Sequence, residues 1–243
     1  MYTFTGGVAK YVQLLVDRKA LTKTSMIKAM INPSSTFIGE GKAILIEEFG
    51  KDYGIYFSIL SAIASGKTSR AEIENAVGKE VGGYLSRLEE EYEIISRYHP
   101  LFENPRKNLR YIIKDNFFMF WFRFIFRYQY MIEIDAYSSL IKVIERDYPT
   151  YSGIILERYF RQLMAESGMS TRIGGWWDRK GENEIDIIAE NELTKQFILA
   201  EVKRNKDNYS ERELIKKGEA FFRSAGNFKD YQILYRGFSL EDM

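Results

Sequence analysis

The chain has 243 residues, of which 45% are hydrophobic and 28% are charged, and its formal net charge is +1. These values are typical of a folded globular protein of two or more domains, and they exclude a polycation that would wrap nucleic acid over its whole surface. The chain has no cysteine and a single histidine, His99. Disulfides, thiolate sites and histidine-rich metal sites are therefore excluded, and any bound metal must be held by oxygen.

The first residues, MYTFTGGVAKYV, lack the charged and apolar regions of a secretory signal, and together with the absence of cysteine they favour a cytoplasmic location. Charged residues such as Arg123 and Arg127 interrupt the aromatic run from Phe117 to Tyr130. The uncharged stretches are too short to span a bilayer, so we interpret this run as a core helix and expect no membrane partner.

Residues 1–50 contain amphipathic helical stretches separated by the polar break at residues 32–35. They begin in mid-pattern, so we expect the end of a larger unit and a chain that is a fragment or a truncated paralogue of a longer protein. Residues 51–115 predict three helices, at 53–65, 69–77 and 79–92, followed by two short strands. That order is typical of a winged-helix domain, and Ser69 with Glu72 predicts a capping box at the second helix.

The third of these helices carries Lys79 and Arg87 against four glutamates between positions 80 and 91, a net charge of −2 (two minus four). A helix that enters a groove of DNA should not be acidic. Packing between domains, or protein binding, is therefore favoured. DNA contact by basic residues of the wing, among them Arg106 and Lys107, is the alternative.

Residues 116–149 predict a helical connector, and residues 150–243 predict the order α-β-β-β-α-β. The overall expectation is an α/β protein with an α-helical N-terminal part. In the strand QFILAEVK, alternation places Glu201 and Lys203 on one face at the end of an apolar strand. Asp186 stands between Ile185 and Ile187 in the preceding strand, and a hairpin would bring it beside Glu201.

Two converging carboxylates with a lysine suit the metal-dependent hydrolysis of a phosphodiester. Asp186 and Glu201 would supply oxygen ligands for Mg²⁺ or Mn²⁺, and the backbone carbonyl of Val202 would be a further ligand. Lys203 could orient the attacking water or stabilise charge on phosphorus, and Glu157 could add a ligand or hydrogen-bond to one. The competing interpretations are ordinary charges on a surface strand for the first three side chains and a solvated helix edge for Glu157.

The runs Glu184-Ile185-Asp186 and Glu201-Val202-Lys203, within this order of elements, resemble the PD-(D/E)XK nuclease superfamily. The wider pattern, with GGVAKYV, FFMFWFRF, GGWWDRKGENEIDIIA and AEVKRN, resembles the C-terminal part of prokaryotic, archaeal-type AAA ATPases that end in a domain of unknown function of this superfamily. The resemblance implies a remnant of the ATPase lid at 1–50 and a restriction-endonuclease-like domain at 150–243. Ile185 stands where the superfamily often has proline.

The same resemblance implies DNA as a partner, an ATPase module in full-length relatives, and a homodimer, since such nucleases often act in pairs. The stretch from Ser61 to Thr68 ends like a phosphate-binding loop, but it lacks the first glycine and follows a helix, so no ATPase activity is expected.

Four basic residues near the site, Arg204, Lys206, Lys216 and Lys217, could contact phosphates. The alternative for them is an exposed face interleaved with glutamates. The leading hypothesis is a metal-dependent DNA endonuclease module. Its alternative is an inactive DNA-binding or protein-interaction module that retains the nuclease fold.

Overall fold

The computed structural model describes residues 1–105, 107–226 and 228–243. It is a mixed α/β structure with helices in the N-terminal part and a mixed sheet in the C-terminal part. The chain divides into two compact units. The first comprises Met1–Tyr98 and Arg110–Tyr148, and the second comprises His99–Leu109 and Pro149–Met243.

The described residues form α-helices in both units. They are α1 Tyr2–Thr5, α2 Ala9–Asp17, α3 Lys23–Met30, α4 Thr36–Phe49, α5 Tyr53–Ala64, α6 Arg70–Val77, α7 Gly82–Glu90, α8 Asn116–Phe120, α9 Gln129–Glu133, α10 Tyr137–Glu166 and α11 Glu211–Ala225. The strands are β1 Ile95–Tyr98, β2 Arg110–Ile113, β3 Arg172–Trp177, β4 Glu184–Asn191, β5 Gln196–Val202 and β6 Gln232–Phe238.

In the first unit, helices α5, α6 and α7 are followed by the antiparallel pair β1 and β2. The predicted capping box at α6 is confirmed, because the Ser69 hydroxyl accepts from the Glu72 N–H at 3.3 Å and the Glu72 carboxylate accepts from the Ser69 N–H at 3.0 Å. The acidic end of α7 has a local partner, since Glu89 forms an ion pair with Arg97 of β1 at 2.7 Å. These contacts fix the start of α6 and attach α7 to the hairpin.

Residues 116–126 form α8 and then one stretch of π-helix, Trp121–Phe126. The expected core helix is confirmed for this part, since Phe117, Phe120 and Trp121 are all buried. A turn at 127–128 ends it before α9, and Tyr130 is exposed. The Trp121 indole N–H donates to the carbonyl of Ile38 at 3.1 Å. Within the described ranges, no helix has both the length and the apolar character that crossing a membrane would require.

The predicted connector and the predicted first helix of the C-terminal segment form a single helix, α10, which continues through Pro149. Proline removes one backbone donor, but its fixed φ is compatible with a helix, so the neighbouring turns can carry the helix across it.

The second unit contains the sheet β3-β4-β5-β6, in which β6 alone is parallel to its neighbour. The predicted order α-β-β-β-α-β is therefore the observed order of elements. One apolar layer packs against α11 and contains Trp176, Phe197, Leu199, Leu214 and Phe221. The other packs against α10 and contains Leu156, Phe160, Ile187, Ala200 and Val202.

Strand β4 contains a bulge at Asp186. Gly174 pairs with Ile188, but Trp176 pairs with Ile185, so the single residue between them on β3 faces two residues on β4. As a result Ile185 packs in the α11 layer while Ile187, two positions later, packs in the α10 layer. Strict alternation would have put both side chains on one face.

The loop between β1 and β2 belongs to the second unit rather than the first. The Leu101 N–H donates to the Gly175 carbonyl on the outer edge of β3 at 2.9 Å, and the Trp177 indole donates to the Asn108 carbonyl at 3.2 Å. The Phe102 ring packs against Phe197 of the sheet. The loop thus covers the free edge of β3, which would otherwise present unpaired backbone groups.

Candidate functional site

Asp186 connects β4 and β5 by a side-chain hydrogen bond just beyond the end of their backbone ladder. The last register pair of β4 and β5 on this side is Ile187 with Ala200, and beyond it Asp186 Oδ2 accepts a hydrogen bond from the backbone N–H of Val202 at 2.7 Å. A side chain thus takes the place of a ladder carbonyl, and the bulge turns the Asp186 carboxylate to the position where this is possible.

Glu201 is the most deeply buried carboxylate of the site, at 4% exposure. Its Oε2 lies 3.1 Å from the ammonium of Lys203, and its Oε1 accepts a hydrogen bond from the ammonium of Lys217 on α11. Burial of a carboxylate without a partner would cost on the order of several kcal/mol. These ion pairs therefore explain how the charge of Glu201 is tolerated at the end of an apolar strand.

Lys203 follows β5 directly, and its backbone N–H donates to the Phe238 carbonyl of β6 at 2.8 Å. Burial lowers the pKa of Lys203, but its hydrogen bond and ion pair with Glu201 and the charges of Asp186 and Glu157 outweigh burial and hold the pKa above its ordinary value. The ammonium of Lys203 therefore lies in the field of three carboxylates from three different elements.

Glu157 lies on α10, close enough to the strands to be strongly perturbed by them. Burial and, after it, the negative charge of Asp186 raise its pKa to about 8, although Arg161 and Lys203 act in the opposite direction. Burial also raises the pKa of Asp186, against the hydrogen bond from Val202. Burial and the mutual repulsion of the acidic groups thus perturb the pKa values at this site, a setting that recurs at functional sites.

Arg161 and Glu184 complete the surroundings of Asp186. A terminal guanidinium nitrogen of Arg161 donates to the backbone carbonyl of Asp186 at 2.8 Å, which holds the bulged residue toward α10. The charge of Glu184, two residues before Asp186 on β4, raises the pKa of both Asp186 and Glu157.

The donor set can be compared with the needs of a metal. In residues 1–105, 107–226 and 228–243, no three histidine, cysteine, aspartate or glutamate side chains are grouped so that they could hold an ion by themselves. Mg²⁺ is commonly held by only one or two carboxylates, with water and substrate phosphate filling the other positions. Asp186 and Glu201 are two carboxylates of that kind, and their role as metal ligands stays a prediction, whereas an all-protein cage is not formed by the described side chains. The carbonyl of Val202 as a further ligand stays a prediction.

The basic residues that the sequence singled out have different surroundings. Lys217 contacts the site directly through Glu201, whereas Lys216 is exposed and pairs with Glu213 at 2.8 Å. Lys206 is exposed on a short 3-10 turn after β5, and Arg204 is half-buried. Lys107 is exposed in the loop between β1 and β2, and Arg106 lies outside the described residues.

Sequence reasoning did not single out Tyr209, which precedes α11. Its ring packs over Gly237 of β6, where a Cβ would lie 2.5 Å from the ring. Its hydroxyl is buried and has no hydrogen-bond partner among the described residues. Burial raises the pKa of Tyr209, and the nearby charges of Glu211 and Glu201 raise it further. Nothing in the local pattern around a single loop tyrosine indicates this position.

The place of Lys217 in the site did have a sequence signal. It lies three residues after Leu214, one before Gly218 and four before Phe221, all of which are on the buried face of α11. A lysine at this spacing borders the apolar stripe of the helix rather than its exposed face.

Comparison with known proteins gives a relationship without an activity. The chain is 38% identical over 214 residues to "Uncharacterized protein MJECL04" of Methanocaldococcus jannaschii, and this covers 84% of the chain and 47% of the relative. The chain thus spans about half the length of the curated relative it matches. No solved structure matches the chain. Residues 121–215, which run from the π-helix to α11 and include Asp186, Glu201 and Lys203, match the family model DUF234, described as "Archaea bacterial proteins of unknown function".

Proposed function

We propose that the chain is a metal-dependent nuclease module that hydrolyses DNA phosphodiester bonds. The observation that carries the proposal is the ammonium of Lys203, 3.1 Å from Glu201 and in the field of Asp186 and Glu157. A lysine beside buried carboxylates can hold a phosphate oxygen while the carboxylates hold a divalent ion.

The order of elements supports the same proposal at the level of fold. A mixed sheet with two antiparallel pairs and one parallel strand, flanked by α10 and α11, has the order that the resemblance to the PD-(D/E)XK superfamily implies. We propose a restriction-endonuclease-like fold for this unit and a winged-helix fold for residues 51–115. The loop at 99–109 packs within the second unit, which favours a packing role for the wing over DNA reading.

We also propose that longer relatives join this module to an AAA-type ATPase module. The relative from Methanocaldococcus jannaschii has about half of its length beyond the matched part, which leaves room for such a module. The segment from Ser61 to Thr68 is in α5 for its first four residues rather than in a phosphate-binding loop, which supports the expectation that it binds no nucleotide. The homodimer and the cytoplasmic location stay predictions.

The side chains divide the chemistry of hydrolysis among them. Asp186 and Glu201 would hold Mg²⁺ or Mn²⁺, and Lys203 would donate hydrogen bonds to a non-bridging phosphate oxygen or to the attacking water. Glu157, with its pKa raised to about 8, holds a proton on its carboxyl group near neutral pH and could act as a general acid. A divalent cation bound here supplies positive charge to the phosphate and lowers the pKa of a bound water.

Cleavage of supercoiled plasmid DNA in Mg²⁺ or Mn²⁺ tests the proposal. We expect metal-dependent nicking by the wild type and a loss of about 100-fold or more in Asp186→Asn, Glu201→Ala and Lys203→Ala. Glu219→Gln changes an exposed carboxylate on α11 and serves as the matched control. Equal residual cleavage in the wild type and the three site variants would reject the proposal.

A second candidate is a non-catalytic module that binds DNA or another protein and retains the fold as a scaffold. It is favoured by one specific observation, that both oxygens of Glu201 are already occupied by lysines. This candidate predicts DNA binding with a steep salt dependence and no metal requirement. Calorimetric binding of Mn²⁺ that disappears in Asp186→Asn would reject it.

A further inference from the structure

We infer that Lys217 competes with the divalent cation for Glu201. Lys217 must release Glu201 before the site can bind the metal. This inference rests on the proposed function, because it concerns the regulation of the same site. It explains why Lys217 contacts Glu201, a proposed metal ligand that already pairs with Lys203.

Glu201 is one buried carboxylate between two ammonium groups, Lys203 on Oε2 and Lys217 on Oε1. A divalent cation held by Asp186 and Glu201 would add two positive charges beside the carboxylate that both lysines contact. Repulsion between these positive charges is strong in a partly buried site, so one ammonium has to move away.

Lys217 is the lysine that moves. Lys203 is in the field of Asp186 as well as that of Glu201, so it stays attracted to the site when Glu201 binds a metal. Lys217 has Glu201 as its only ion-pair partner within the described part of the chain. It is attached to α11 through a flexible side chain, and 28% of that side chain is exposed.

The released ammonium of Lys217 can turn toward Glu213. Glu213 lies one turn earlier on α11, and the charge of Lys217 already contributes to the lowered pKa of Glu213. Its present partner is Lys216, so Glu213 offers a shared anion at the surface rather than a second buried site. A phosphate of a bound nucleic acid would be a better partner, and metal binding and phosphate binding would then favour each other.

The experiment is calorimetric titration of the full chain with Mn²⁺ alone. Lys217→Met keeps the aliphatic length and removes the charge, and Lys217→Gln is a second variant that keeps a polar end. We expect both variants to bind Mn²⁺ about tenfold more tightly than the wild type, because each lacks one charge-assisted hydrogen bond that competes with the metal. Lys195→Met removes an exposed lysine just before β5, at the strand end opposite to Glu201, and should bind Mn²⁺ like the wild type.

The outcomes separate this inference from the proposed function. Tighter binding in both Lys217 variants, or binding that is detectable only in them, supports competition. If the wild type binds Mn²⁺ and the Lys217 variants bind it equally or more weakly, the competitor role is wrong while the proposed metal site stands. If wild type and variants all fail to bind Mn²⁺, and thermal unfolding shows that all are folded, the proposed site and this inference both fail.

Discussion

Replacement of Glu157 by glutamine should make the metal-free protein more stable at alkaline pH. In the folded protein, burial and the charge of Asp186 raise the pKa of Glu157 from its ordinary value of 4.5 to about 8. Between these values the folded state holds a proton that the unfolded chain releases. The stabilisation is therefore complete below about pH 4.5 and is lost as the pH rises toward about 8.

The magnitude follows from the same two pKa values. One pKa unit corresponds to about 1.4 kcal/mol, so the stability lost across this range is at most about 5 kcal/mol. Water at the partly buried side chain screens part of this, and we expect Glu157→Gln to gain about 2–3 kcal/mol over the wild type at pH 8.5. A smaller slope should remain in the variant, because burial also raises the pKa of Asp186.

Urea unfolding in EDTA, repeated from pH 5 to pH 9, measures both the gain and the slope. The control is Glu219→Gln, which removes an exposed carboxylate of α11 and should follow the wild-type curve. A wild-type stability that is flat or rising across this range would refute the reasoning. So would a variant with the same slope as the wild type, since either result means that burial and the charge of Asp186 do not raise the pKa of Glu157.

Two further predictions concern packing. Gly41→Ala should destabilise the protein by about 1–3 kcal/mol in urea unfolding, because its Cβ would lie 2.5 Å from the Trp121 ring. Gly39 is on the same helix, and a Cβ there would have nothing within 4 Å. Gly39→Ala should therefore stabilise the protein by up to about 1 kcal/mol. Equal effects of the two alanines would contradict this packing. Tyr209→Phe should leave the free energy of unfolding unchanged or slightly raised, since the hydroxyl lost is buried without a partner among the described residues; a loss above about 1 kcal/mol would mean that the hydroxyl is satisfied in solution.

The order of elements could be predicted because it depends on local chemistry. Ser69 and Glu72 mark the start of α6 through their own hydrogen bonds, and polar turns separate the strands of the second unit. The continuation of α10 through Pro149 could not be predicted in the same way, because local preference predicts that a helix ends at a proline. The packing of α10 along its length decides that the helix continues.

The proximity of Glu201 and Lys203 was predictable because it depends on strand alternation, whereas the positions of Asp186 and Lys217 depend on tertiary packing. Glu201 and Lys203 follow from the alternation of β5, and their ion pair at 3.1 Å bears out that they lie together. The bulge that turns Asp186 depends on how β3 pairs with β4, which no single strand specifies. Lys217 reaches Glu201 only because α11 packs on the sheet in one particular rotation.

The balance of charges in the site bears on the choice between an enzyme and a relic. Raised pKa values at Glu157 and Asp186 mean that the metal-free fold is less stable at neutral pH than it would be with neutral side chains there. A scaffold that only binds a partner gains nothing from that cost, and a single glutamine would remove much of it. Such a cost is expected of acidic groups that bind a divalent cation, because the cation would restore the lost stability on binding. The cost is therefore consistent with the proposed nuclease, and the ion pair of Lys217 with Glu201 would limit it while the metal is absent.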